Sequence, residues 1–101
     1  EEEGFRDQVL NADKPVMVAF WAPQSEESIA AVALLEQTAS EIGEAVKLVK
    51  IDTYRNQRVA KRYGVDSIPT VVLFVNGEVK AKLSGNFTAE EVKNQVAAAG
   101  C

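Results

Sequence analysis

The chain has 101 residues, of which 47% are apolar and 26% charged, with a formal net charge of −4. That length suits one domain, residues 1–101, with a single core of two or three layers. The balance is that of a soluble globular protein rather than a disordered chain, and the acidic charge argues against a binder of phosphate backbone or anionic lipid.

The sequence has no histidine and one cysteine, Cys101. An intramolecular disulfide, a CxxC pair, a thiolate metal cluster and every Ser-His or Cys-His couple are excluded. No apolar run approaches the roughly 18 residues of a membrane span, and the start does not read as a signal peptide. The expected setting is cytoplasmic by default, for a mature form or a domain cut from a longer chain. No cofactor or metal is expected.

Residues 3–12 read as a short helix, with Phe5, Val9 and Leu10 on one side and Pro15 ending it. "VMVAFWA" (16–22) is a continuous apolar run, as in a strand buried on both faces. Ser25 is an N-cap, followed by Glu26 and Glu27 in a first turn that suits the helix dipole. That helix is expected to reach about Ile42, with Ala31, Leu34, Leu35, Thr38, Ala39 and Ile42 inward and Gly43 as its stop.

"AVKLVKID" (45–52) reads as a strand and "RNQRVAKRYG" (55–64) as a basic helix closed by Gly64. "PTVVLFV" (69–75) is a second buried strand, and "NG" (76–77) a hairpin turn. "EVKAKLSG" (78–85) alternates, with Val79, Ala81 and Leu83 expected inward. "TAEEVKNQVAAAG" (88–100) opens with a Thr88–Glu91 capping box and buries Val92, Val96 and Ala97. The order α-β-α-β-α-β-β-α implies a mixed sheet, parallel first and antiparallel at the hairpin, with helices on both faces.

Four stretches at these spacings, "KPVMVAFWAP" (14–23), "KIDTYRNQRVAKRYGVDSIPT" (50–70), "LFVNGE" (73–78) and "SGNFTAEEV" (84–92), resemble the thioredoxin family over essentially the whole chain. The resemblance implies the α/β thioredoxin fold, a mixed central sheet flanked by helices. The family opens with a further strand. Here the chain starts at "EEEGF", where the first helix begins, so that strand is expected to be short or missing.

The family's chemistry lies in the turn after "FWAP", which usually reads Trp-Cys-Gly-Pro-Cys. The same five positions here are Gln24, Ser25, Glu26, Glu27 and Ser28. The resemblance therefore puts Ser25 at the nucleophilic cysteine and Ser28 at the resolving one. The family's buried aspartate corresponds to Ala19 and its partner lysine to Leu48. Changes this broad argue against a simple cysteine-to-serine trap. A serine nucleophile would need a base that the sequence does not place beside it. Ser25 is instead read as a cap and Ser28 as a surface or first-turn residue. Glu26 and Glu27, adjacent in sequence, do not face one another and are read as dipole partners rather than an acid–base pair or a metal site.

In the family the proline matching Pro69 is cis, and the residue before it, here Ile68, offers its backbone to an extended peptide. Trp21, Pro23, Ile68, Pro69 and Gly85 are the candidate peptide groove; the other reading keeps Pro69 for the fold alone. Ile29, Ala30, Val32 and Ala33 give the long helix an apolar start, read either as a contact surface or as packing against the first helix. Cys101 is read as an incidental terminal thiol, or as a site of intermolecular disulfide formation. The expected function is a redox-inactive, protein- or peptide-binding or chaperone-like module. The alternatives are a disulfide oxidoreductase by descent or an engineered variant of one, and a purely structural domain.

Overall fold

Val16–Trp21 (β1) carries an apolar side chain at every position, so both of its faces need cover. The chain supplies it. β1 pairs in parallel with Lys47–Asp52 (β2) and antiparallel with Thr70–Val75 (β3), and β3 pairs antiparallel with Glu78–Ser84 (β4). The sheet order is β2-β1-β3-β4. The computed structural model describes Val9 and residues 14–100. The helix expected over 3–12, apart from the buried Val9, lies outside the described residues, as do the expected lack of an opening strand and the terminal Cys101.

Helices cover both faces of this mixed α/β sheet. On one, Val16, Val18, Phe20, Val72 and Phe74 pack with Val59 and Ala60 of the short helix Gln57–Arg62 (α2). Tyr63 lies edge-on to Phe74, with ring centroids 5.1 Å apart. On the other, Met17, Ala19, Val71 and Leu73 meet Val32 and Leu35 of Glu26–Ile42 (α1) and Val92 and Val96 of Ala89–Gly100 (α3). Among the described residues no helix is long and apolar enough to cross a membrane.

Local signals set the element ends. Gly43, at φ 85°, ends α1 and donates its N–H to Ala39 O. A 3-10 turn over Gly43–Ala45 then delays β2 to Lys47, two residues later than the pattern implied. Asn76 (φ 54°) and Gly77 (φ 80°) form a left-handed pair at the hairpin, the conformation of a type I′ turn. The Thr88 hydroxyl accepts from Glu91 N–H at 3.1 Å, while Glu91 Oε1 accepts from Thr88 N–H at 2.8 Å. That reciprocal pair is the capping box.

Two inward assignments change, and one open assignment is settled. Leu73 pairs with Ala81 but Phe74 with Val79, so Lys80 is an extra residue in β4. This bulge turns Val79 to the face opposite Ala81 and Leu83, where it is 47% exposed. Ala97 is exposed, one position past the buried Val96 stripe. Val32, grouped by sequence with the apolar outer start of α1, is buried, because the centre of the inner face runs through Ser28, Val32, Leu35 and Thr38.

An ion pair between Lys93 and Glu41 ties α3 to α1 across the solvent-facing rim. The hydrogen bond and charge of Lys93 hold the Glu41 carboxyl below its ordinary range. The folded value is the depressed one. Whatever the contact contributes is therefore present at neutral pH and lost as pH falls through that lowered value. In a carbon-detected NMR titration, Lys93→Gln is expected to return Glu41 to the usual carboxylate range.

Candidate functional site

Antiparallel pairing puts the C-terminal ends of β1, β2 and β4 and the start of β3 at one end of the sheet. Phe20–Thr70 and Thr70–Ser84 are the last paired positions there. Trp21, Pro69 and Gly85 continue those three strands side by side. The Ile68–Pro69 peptide is cis. Gly85, at φ 77°, donates its N–H to Pro69 O at 3.1 Å. The Thr70 hydroxyl donates to Ser67 O at 2.9 Å and lies 3.1 Å from Ser84 Oγ. These ties hold the 67–70 loop, yet among the described hydrogen bonds none uses the N–H or C=O of Ile68. Ile68 is half-buried and packs on the α2-side core.

The turn from β1 into α1 is held by its serines. Ser25 N–H donates to Ala22 O at 3.1 Å, and Ser25 Oγ caps the helix by accepting Ser28 N–H at 3.2 Å. Ser28 is fully buried. Its hydroxyl accepts Ala22 N–H at 3.1 Å and points its one proton at two carbonyls, Ala22 at 2.9 Å and Ser25 at 3.0 Å. The expectation of a surface position for Ser28 is corrected. The hydroxyl is spent inside the protein because the strand end and the helix start are otherwise left with unmatched backbone groups. Glu26 and Glu27 are exposed in the first turn, in line with dipole pairing. Pro23 is exposed and Trp21 half-buried.

Beneath the turn, Ala19 is buried and Leu48 half-buried, both in the apolar cluster under α1. Neither can hold or pass a proton. Ile29 is 46% exposed, with Ala30 and Ala33 exposed beside it. Among the described residues no three carboxylate or thiol groups converge as a metal site.

Two open depressions flank the turn. One, of about 190 Å³, lies between Thr53 and Tyr54 after β2 and the Val65–Ile68 loop. The other, of about 240 Å³, lies between Glu27, Ala30 and Leu34 of α1 and the Gly85–Phe87 loop. Sequence reasoning missed Thr53, Tyr54, Asp66 and Phe87. They lie in stretches that carry the family resemblance but no site motif, and the sheet order brings them to the site. The Thr53 hydroxyl is buried without a hydrogen-bond partner among the described residues, although its N–H donates to Trp21 O at 2.8 Å.

The thioredoxin family's sequence profile matches residues 1–98. The chain belongs to the thioredoxin family. A thioredoxin of Porphyra purpurea is 38% identical over 77 residues, covering 76% of this chain and 72% of that protein. A thioredoxin of Griffithsia pacifica is 35% identical over 77 residues, covering 76% and 71%. One from Rickettsia prowazekii is 35% identical over 79 residues, covering 78% and 75%. The mixed four-stranded sheet with helices on both faces is thus a thioredoxin fold, and the turn at 22–28 lies at the strand-to-helix junction of that fold.

Two stability measurements check the roles of the hydroxyls in this thioredoxin-family chain. Ser25→Ala removes one cap bond and is expected to cost about 1 kcal/mol in chemical denaturation. Ser28→Ala leaves the buried Ala22 N–H unmatched and is expected to cost more, about 2–3 kcal/mol. Equal small losses would refute the central place given to Ser28. Thr53→Val removes an unmatched buried hydroxyl at nearly constant shape and is expected to stabilise by about 1 kcal/mol.

Proposed function

We propose that this chain is a thioredoxin-fold binding module that has lost dithiol–disulfide exchange and holds an extended protein segment on the backbone of Ile68. The observation that carries the reading is the employment of Ser28. A hydroxyl with no sulfur chemistry stands where the family's second cysteine is expected, and its proton and an accepted N–H are both turned inward to Ala22 and Ser25.

The chemistry supports it. Disulfide exchange passes through a mixed disulfide and needs sulfur at both positions. A helix N-terminus contributes up to about 2 kcal/mol, or about 1.5 pKa units. That suffices to ionise a thiol whose free pKa is about 8.5, and falls far short for an alcohol. Ala19 and Leu48 leave no proton carrier behind the turn. The binding half rests on the peptide of half-buried Ile68, whose N–H and C=O no described hydrogen bond uses, with Trp21, Pro23, Pro69 and Gly85 as its surround. An extended segment can satisfy that edge by strand-like hydrogen bonds.

The relatives' shared name favours a second reading, a protein-disulfide oxidoreductase by descent. The two readings separate in an insulin-reduction assay with dithiothreitol. The chain, and its Cys101→Ser variant, are expected to give no turnover above the dithiothreitol background. Clear turnover by the variant would overturn the proposal. Binding is read separately, by NMR shifts of the Trp21, Ile68 and Gly85 amides on adding an extended peptide.

A further inference from the structure

The two depressions beside the turn share one chemical pattern. The first has an apolar floor of Val65 and Ile68, an aromatic wall in Tyr54, and a single charged lining residue, Asp66. The second has an apolar floor of Ala30, Leu34 and Phe87, and again a single charged lining residue, Glu27. Both carboxylates are exposed at the rim, and neither has an ion-pair partner among the described residues. Lys50, Lys80 and Lys93 are engaged elsewhere, with Glu36, Glu78 and Glu41. Arg55 stands in the turn after β2 but lines neither depression.

An apolar floor with one carboxylate at the mouth matches one kind of side chain: a long aliphatic stem ending in a cation. Lysine and arginine bury such stems on apolar surface while the head stays wet. Tyr54, 60% exposed, adds a ring face on which a cation can rest. The first depression adjoins Ile68 and the second adjoins Gly85, so they bracket the peptide edge from opposite sides. Successive side chains of an extended segment point to opposite sides, which lets one bound segment reach both.

We propose that the groove selects extended segments bearing lysine or arginine at two positions of opposite alternation, one directed to each depression, with Asp66 and Glu27 as the two charge-reading positions. The proposal rests on the peptide-binding reading above and names the partner's chemistry. Both depressions are open to water, so each contact is screened and its contribution is selectivity more than tight binding.

The test is a set of nine-residue, valine- and threonine-rich peptides with blocked ends, in which glutamine, lysine, arginine or glutamate is scanned through each position. Affinity is read by calorimetry and location by amide shifts, at low and at physiological salt. Lysine or arginine is expected to tighten binding about three- to fivefold over glutamine at each of two positions, and glutamate to weaken it. Asp66→Asn is expected to erase the preference at one position and Glu27→Gln at the other, with the preference shrinking as salt rises. Both residues are exposed, and far-UV circular dichroism checks that the variants stay folded. Equal affinities for all four series, with shifts at Ile68, would overturn the cation proposal and leave peptide binding standing. A preference that survives both substitutions would also overturn it. No shift at Ile68 with any peptide would overturn both.

Discussion

A strand without a wet face is the constraint on which the rest of this molecule depends. Val16–Phe20 are all buried, and neither face can be left to solvent without losing about 1.5–3 kcal/mol for each large side chain exposed. Covering one face requires α1 and α3; covering the other requires α2. β1 must also sit inside the sheet, between β2 and β3, because a central strand has all its backbone groups paired. That position has a consequence for function. The loops that follow β1, β2 and β4 and the loop that precedes β3 all emerge at the same end of the sheet.

The junction at that end is held by hydroxyl chemistry. Ser25 closes the first turn of α1, and Ser28 binds the helix start to the last backbone groups of β1. A buried hydroxyl that donates and accepts is a good strut, since it matches an N–H and a C=O at once. Ala19 and Leu48 continue the apolar core right up to the junction. A position built for reactivity is the opposite: partly unsatisfied, polarised and backed by a group that can move a proton. At 22–28 the hydroxyls of Ser25 and Ser28 are engaged in joining the strand end to the helix start.

Across from the junction, no described hydrogen bond uses the N–H or C=O of Ile68. The 67–70 loop is tied down through Pro69 O, Ser67 O and Thr70 Oγ1, on the side facing β4. Its surroundings are acidic at two separated rims, and apolar between them. Local charge of that kind discriminates among partners more than it strengthens any one of them.

Much of the fold was legible along the chain, because its signals are local. The apolar run at 16–21, the Asn76-Gly77 turn, the Gly43 stop and the Thr88–Glu91 box each depend on a few adjacent residues, and the chain adopts all four. The family, too, could be read from four quoted stretches. The less legible features all involve residues distant in sequence. The Lys80 bulge, which turns Val79 away from Ala81, arises from how β4 meets β3 rather than from its own alternation. Val32, left open by the sequence, is buried because α1's rotation is set by the sheet beneath it.

The sequence by itself determined that no pair of thiols and no histidine could work in this chain, since composition alone excludes chemistry that needs them. Among the described residues it also determined where strands and helices start and stop, to within two or three residues. Only the tertiary structure decided that Ser28 faces inward, and that Tyr54, Asp66, Glu27 and Phe87 line the two depressions at that end of the sheet. Burial and proximity are properties of packed elements. Two side chains 39 residues apart, such as Glu27 and Asp66, come to flank the same edge only when the sheet order brings their loops to one end.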